Sequence, residues 1–113
     1  MATPITTEGL LGKIERGDDF ILMEVLPADS YERGHLPRAI DIPLTHEFED
    51  SVRKAAPDTR QPVVVYCSGP ECSASSDAAR RLEALGYGEV MVLHGGKAAW
   101  EAAGLALETS TSA

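Results

Sequence analysis

The chain has 113 residues, of which 43% are hydrophobic, 25% charged and 5% aromatic. This length supplies one core of useful size and predicts one domain over residues 4–107, followed by a flexible polar tail over residues 108–113. The formal net charge of −8 repels nucleic-acid phosphates and anionic lipid, so we expect neither as a partner. Because no apolar stretch is long enough to span a membrane and no apolar leader opens the chain, we expect a cytoplasmic protein with reduced thiols.

Short β-rich runs alternate with segments of helical spacing along the chain, which predicts an α/β fold with a mostly parallel sheet covered by helices. Strands are predicted over residues 20–25, 39–42, 63–67 and 90–93. Helical segments are predicted, in chain order, from a Thr7 cap to Gly17, as a short turn over 29–33, from a Thr45 cap to Pro57, from Ser75 or Ser76 to Gly86, and around a core-facing Trp100 up to Gly104.

The most informative residue is Cys67, which ends the unbroken apolar run of residues 63–67 and precedes a small-residue loop and a helix. Such a run is typical of a central parallel strand, and open α/β sheets place their sites at the carboxyl ends of these strands. The loop amides and the positive end of the helix form an anion cradle that also favours a thiolate. Cys67 is therefore suited to attack the outer sulfur of an anionic donor, giving a persulfide that a second nucleophile discharges. The alternative is a small apolar residue that merely ends a core strand.

At these residues the chain resembles the single-domain rhodaneses, a sulfurtransferase family. The resemblance runs through residues 31–43, 63–67 and 92–100 to Gly104 and covers nearly the whole chain. It implies a three-layer α/β/α fold with about five strands, and it identifies Cys67 as the persulfide-bearing nucleophile. It also implies a donor such as thiosulfate or a persulfide, a thiol or cyanide acceptor, a protein persulfide as a potential partner, and no cofactor. The substrate-binding loop implied by the resemblance comprises Ser68, Gly69, Pro70, Glu71, Cys72, Ser73 and Ser75.

The loop departs from the family pattern in its charge. No Arg or Lys lies between Cys67 and Ala79, and Glu71 and Cys72 stand where relatives often carry a cation. An acidic Glu71 raises the pKa of a nearby thiol and repels a dianion, whereas the amide cradle and the helix dipole lower that pKa. Arg38 offers two interpretations: a cation that folds over the loop, or a solvated surface arginine.

Four further residues are weighed as auxiliary groups. Cys72 lies five residues after Cys67, close enough for a loop disulfide or for passing on a persulfide, and equally consistent with a small residue that tightens the loop. His35 is a candidate general base, although a role in its turn is favoured. Glu24, at a strand end, is predicted to accept backbone N–H bonds from neighbouring loops, and Lys97 to begin a helix with its charge in water. Two cysteines and three scattered histidines lack the paired spacing of a zinc site, so no metal is expected.

The sequence is compatible with three functions. Sulfur transfer through Cys67 ranks first, and a rhodanese-like module that binds a protein or relays sulfur with weak or no turnover is the alternative from another class. Phosphatase or arsenate reductase chemistry ranks last, because an oxyanion transition state of that kind needs a guanidinium that this loop lacks.

Overall fold

The computed structural model describes residues 2–109. Within this range five strands alternate with five helices. In chain order the elements are β1 Thr3–Pro4, α1 Thr7–Arg16, β2 Ile21–Glu24, α2 Ala28–Arg33, β3 Ile40–Asp41, α3 Phe48–Ala55, β4 Val63–Tyr66, α4 Ala74–Ala84, β5 Val90–Leu93 and α5 Gly96–Ala102. The four predicted strands are present, and β5 has the predicted bounds.

The strands form one parallel sheet in the order β1–β5–β4–β2–β3. One row of paired residues crosses it from edge to edge: Pro4, Val92, Val65, Met23 and Ile40. Because the strands are parallel, their carboxyl ends share one edge, and the central position of β4 carries the following residue to the middle of that edge.

Helices cover both faces of the sheet, so the three-layer α/β/α prediction is confirmed. Side chains alternate between faces along β4: Val65 and Cys67 contact the apolar cluster that includes Phe48 of α3 and Leu82 of α4. The intervening Tyr66 belongs to the other cluster. That second cluster contains Leu10 of α1 and Trp100 of α5 among its buried members, and Trp100 is the predicted core residue.

The amino-terminal part of the fold differs from the prediction in two details. A short edge strand, β1, was missed and begins one residue before the predicted domain start. Its two exposed residues carry no apolar signal, and it is recognisable only by its pairing with β5. The cap of α1 is Thr6 rather than Thr7, because the Thr6 Oγ1 accepts the Gly9 N–H at 3.0 Å.

The predicted cap of the helix before Pro57 is also shifted. Helix α3 begins at Phe48, and Thr45 lies in the turn before it, where its Oγ1 accepts the Glu47 N–H at 3.2 Å. At the other helix ends, Gly17 and Gly86 have positive φ angles of 70° and 97°, which supports their predicted role as terminators.

The carboxyl-terminal segment returns to the body of the domain. The N–H groups of His35 and Glu108 each donate to the other residue's carbonyl at 2.8 Å. The Trp100 Nε1 also donates to the Ala106 carbonyl at 3.0 Å. Glu108, placed in the tail by the sequence, is thus paired with the domain, whereas residues 110–113 of that predicted tail lie outside the described residues.

Candidate active site

Cys67 follows β4 directly and is 1% exposed. Its Sγ lies 3.4 Å from the Cys72 carbonyl oxygen, to which the thiol donates, and 3.5 Å from the Ser75 Oγ. Ser75 is itself buried, in the first turn of α4. The loop therefore folds back over the thiol and encloses it between its own backbone and the amino-terminal end of the helix.

This enclosure favours the protonated form of the thiol. Burial raises the pKa of Cys67, and a hydrogen bond with Cys72 raises it further, while the hydroxyl and backbone N–H of Ser75 act in the opposite direction. Desolvation disfavours a thiolate unless charge or hydrogen bonds compensate it. Cys67 accordingly rests as a thiol beside two donors that can stabilise a thiolate when one forms.

Cys72 has the opposite electrostatic balance. Burial alone raises its pKa, but a hydrogen bond from Cys67, the backbone N–H groups of Ala74 and Ser68 and the Ser68 hydroxyl outweigh burial and lower it. The Cys72 N–H also donates to the Gly69 carbonyl at 3.1 Å, which closes a tight turn. Both cysteines are free thiols. The backbone of Cys72 thus closes a turn of the loop, while its side chain is partly exposed rather than buried. The role of its thiol stays open.

Helix α5 holds the loop from the other side. The Lys97 N–H donates to the Cys67 carbonyl at 3.1 Å, and the Ala98 N–H donates to the Ser68 carbonyl at 2.9 Å. This close packing of α5 on the loop requires glycine at position 96, where φ is 55°. A Cβ there would lie 2.4 Å from the Cys67 carbonyl oxygen and 2.8 Å from the Gly69 nitrogen. The glycine pair predicted to allow a tight strand-to-helix turn therefore also allows close contact between α5 and the site.

A cavity of about 310 Å³ opens over the loop. Glu71 is the one charged residue among those that line it, and it is exposed. Ser73 lies beyond this lining, where its carbonyl accepts the Asp77 N–H and starts α4. The residues that line the cavity are Ser68, Gly69, Pro70, Glu71 and Cys72.

Arg38 does not lie over the loop. Its guanidinium stacks 4.4 Å from the centroid of the Phe20 ring and donates to the carbonyls of Asp18 and Phe20 at 3.3 and 3.2 Å. These residues precede β2 and lie at the amino-terminal edge of the sheet, opposite Cys67. The hypothesis of a replacement cation is therefore wrong for this conformation, because nearby carbonyls and an aromatic face hold the guanidinium elsewhere.

His35 has the structural role that the sequence analysis favoured over a general base. The side chain is buried, its ring stacks on Tyr31 with centroids 3.9 Å apart, and its Nδ1 lies 3.0 Å from the Tyr31 carbonyl oxygen. These contacts fix the turn after α2 and its pairing with Glu108.

Comparison with known proteins agrees with this geometry. The family model of the rhodanese-like domain matches residues 6–103. The chain belongs to the rhodanese-like domain family. Two solved structures show the same fold. The rhodanese-like domain of the Alr3790 protein from Anabaena has a TM-score of 0.82 and 27% identity, covering 99% of this chain and 85% of that one. The thiosulfate sulfurtransferase from Pseudomonas aeruginosa has a TM-score of 0.86, covers 98% of this chain and 21% of that one, and at 24% identity shows the fold alone.

Two curated relatives have names that denote different functions. The thiosulfate sulfurtransferase GlpE of Coxiella burnetii is 32% identical over 84 residues, which are 74% of this chain and 74% of that protein. The HTH-type transcriptional regulator Rv0324 of Mycobacterium tuberculosis is 36% identical over 104 residues, or 92% of this chain. The chain spans 44% of that regulator's length.

The rhodanese-like domain also contains a buried ion pair that the sequence analysis missed. The Lys97 Nζ lies 3.1 Å from the Glu24 Oε2 and donates to the carbonyl and hydroxyl of Ser30 at 2.9 and 3.0 Å. Lys97 was predicted to lie in water, but its side chain is 12% exposed and that of Glu24 is fully buried. Instead of backbone N–H groups, Glu24 accepts the Tyr66 hydroxyl at 2.8 Å. A buried ammonium is tolerated here because the carboxylate compensates its charge.

The structure thus divides the candidate residues of the rhodanese-like domain. It brings Cys67, the loop and Ser75 together, leaves Arg38 and His35 outside the site, and pairs Glu24 on the other face of the sheet. Within residues 2–109 no group of three or more His, Cys, Asp or Glu side chains is placed to hold a metal ion. None of the helices in that range has the length and apolarity to cross a lipid bilayer.

Proposed function

We propose that this rhodanese-like domain is a sulfurtransferase that moves a sulfane sulfur from thiosulfate or a persulfide donor to a thiol or cyanide through a persulfide on Cys67. The observation that carries the proposal is the position of the Cys67 thiol at the end of the central strand, within reach of the Ser75 hydroxyl and under a loop of small residues. The relationship to a protein named thiosulfate sulfurtransferase supports the same reaction class.

The chemistry needs two displacements at sulfur. The Cys67 thiolate attacks the outer sulfur of the donor, an S–S bond forms at Sγ, the donor's own bond to that sulfur breaks, and its remainder leaves with the electron pair. An acceptor nucleophile then attacks the outer sulfur of the persulfide, and the Cys67 thiolate leaves. The Ser75 hydroxyl and N–H stabilise the sulfur whenever it carries negative charge.

The charge of the loop bears on the choice of donor. The cavity lining contains no cation, and Glu71 adds a carboxylate. A dianionic donor such as thiosulfate is repelled more strongly by this carboxylate than a singly charged persulfide. We therefore expect loading from a persulfide donor to be faster than loading from thiosulfate.

The experiment is intact-mass analysis of the reduced protein after each donor, and again after cyanide. We expect the wild-type protein to gain one sulfur atom, to lose it with cyanide and to gain none as Cys67→Ser. A protein that gains no sulfur from either donor, or that gains it equally as Cys67→Ser, would contradict the proposal.

A second candidate is a binding module without turnover. The similarity to a transcriptional regulator and the absence of a loop cation favour it. The Cys67→Ser variant separates the two functions, because a binding module keeps its partner when the thiol is removed and a sulfurtransferase loses its reaction.

A further inference from the structure

The loop contains a second thiol that this mechanism leaves unused. Cys72 is partly exposed and lines the cavity, whereas Cys67 is 1% exposed and lies beneath the loop. A nucleophile that enters the cavity therefore reaches Cys72 more easily than Cys67.

The hydrogen-bond donors of the loop are divided between the two sulfurs. The hydroxyl and N–H of Ser75 lower the pKa of Cys67, while Ser68 and the Ala74 N–H lower that of Cys72. The Cys67 thiol donates to the Cys72 carbonyl at 3.4 Å, so the two cysteines are in contact. Each sulfur therefore has its own means of holding negative charge. A small residue that only tightened the turn would need its backbone contact with Gly69 but none of these donors.

We propose that Cys72 is a second sulfur carrier, which takes the sulfane sulfur from the Cys67 persulfide and presents it to thiol acceptors too large to reach Cys67. The proposal rests on the proposed function, because Cys67 must be loaded first.

The transfer balances without an external oxidant or reductant. The Cys72 thiolate attacks the outer sulfur of the Cys67 persulfide, so that a bond forms between the Cys72 Sγ and that sulfur while its bond to the Cys67 Sγ breaks. The electron pair of the broken bond remains on Cys67 as a thiolate, beside Ser75. One persulfide replaces another, and an acceptor thiolate later repeats the same displacement at Cys72.

Transfer of the outer sulfur requires less movement of the loop than disulfide formation. The transferring sulfur lies between the two Sγ atoms, so these need not come within bonding distance of each other, and the Cys67 thiol already donates to the Cys72 carbonyl at 3.4 Å. Attack on the inner sulfur would instead draw the two Sγ atoms to about 2 Å, expel hydrosulfide and leave a disulfide that needs a reductant before the next cycle.

The wild-type chain allows a direct test, because Glu71 lies between the two cysteines. The protein is loaded with less than one equivalent of hydrodisulfide (HSS⁻), a sulfane-sulfur donor small enough to reach Cys67, its thiols and persulfides are alkylated, and it is cleaved with a glutamate-specific protease. Cys67 and Cys72 then fall on separate peptides, whose masses show which one carries the extra sulfur. We expect the sulfur on both peptides, moving from Cys67 to Cys72 with time.

Two variants supply the second readout, the ratio of turnover with glutathione to turnover with cyanide. Cyanide is small enough to reach the buried Cys67 persulfide, whereas glutathione depends on the relay. We expect Cys72→Ser and Cys72→Ala to lower this ratio at least about tenfold, and equally, because both lack the sulfur nucleophile. If Cys72 acted only through its hydrogen bond with Cys67, Cys72→Ser would preserve the ratio better than Cys72→Ala.

The outcomes separate the relay from the proposed function. Sulfur confined to the Cys67 peptide, with an unchanged acceptor ratio in both variants, would overturn the relay and leave the sulfurtransferase intact. Absence of sulfur from both wild-type peptides would overturn both proposals. Sulfur on Cys72 with the expected fall in ratio would establish it as a carrier.

Discussion

Tyr66 and Cys67 are neighbours in the chain, yet they belong to two polar clusters on opposite faces of the sheet. Cys67 contacts Cys72 and Ser75, which together form the thiol cluster. Tyr66 contacts Glu24 and, through it, Lys97 and Ser30, which form the ion-pair cluster. Both clusters lie at the carboxyl edge of the sheet, so position alone does not distinguish them.

Their charges distinguish them. In the ion-pair cluster an ammonium meets a carboxylate, and burial raises the pKa of the Tyr66 hydroxyl, which stays protonated as a donor to Glu24. The thiol cluster contains no Asp, Glu, Lys or Arg, and the groups that lower the pKa values of its two sulfurs are neutral donors. A cluster whose charges already compensate one another gains little from a further charged ligand, whereas neutral donors can stabilise the charge that a substrate brings. We therefore expect the chemistry of this domain at the thiol cluster.

The largest effect on stability is expected from Lys97→Met. This change leaves the Glu24 carboxylate buried without its counter-charge, which costs about 3–5 kcal/mol in proteins generally. Urea unfolding of wild-type and variant protein measures it. The matched control is Asp29→Asn in the exposed pair with Arg33, for which we expect less than about 1 kcal/mol.

The double variant Lys97→Met with Glu24→Gln tests whether the uncompensated Glu24 carboxylate causes the expected loss of stability. We expect it to recover part of the lost free energy of unfolding, because the uncompensated charge is removed. If Lys97→Met costs no more than the exposed control, the buried ion pair does not stabilise the fold more than an exposed pair does.

A smaller effect on the free energy of unfolding is expected from Gly96→Ala. Gly96 lies between the two clusters, next to Lys97 in the chain and against the Cys67 carbonyl. The left-handed backbone costs an alanine about 1–2 kcal/mol, and displacement of the Cys67 carbonyl by the new Cβ adds to it, so that we expect about 2–3 kcal/mol in all. We also expect slower sulfur loading, because the loop must shift. The control is Gly17→Ala, where φ is 70° but no atom lies within 4 Å of the added Cβ. Equal losses in the two variants would show that α5 does not hold the loop by close contact.

The sequence was sufficient to predict the strand, loop and helix that surround Cys67, and the family resemblance added Ser75 to that loop. An unbroken apolar run that ends in a cysteine, followed by small residues and a helix, encodes strand, loop and helix over adjacent residues, and local spacing sets the geometry of Cys67 and Ser75. The strands β2 to β5 were predictable for the same reason, since each has its own hydrophobic pattern.

The ion-pair cluster was not predictable, because its contacts depend on tertiary structure. Glu24 and Lys97 meet only after β2 and α5 have been placed on the same sheet, and nothing near either residue in the sequence indicates the other. Arg38 illustrates the converse: its charge suggested a partner in the loop, but Phe20 and two local carbonyls hold it at the opposite edge. Edge strand β1 is recognisable only by its pairing with β5, so its own residues could not predict it.

The smallest expected effect concerns the pH dependence of the thiol cluster. Because burial and the Cys72 hydrogen bond raise the pKa of Cys67, the thiolate fraction is low at neutral pH, and the loading rate should rise with pH by up to about tenfold per unit. Cys72→Ala removes the side-chain hydrogen bond that is one of the two causes, and it keeps the backbone carbonyl to which the Cys67 thiol donates. It should therefore move this ascending limb to lower pH. Single-turnover loading of wild-type, Cys72→Ala and Cys72→Ser protein across neutral and alkaline pH measures the shift, and serine should fall between the other two. A limb that moves to higher pH in Cys72→Ala would instead mean that Cys72 stabilises the Cys67 thiolate, and the two sulfurs would then act as one charged unit rather than as successive carriers.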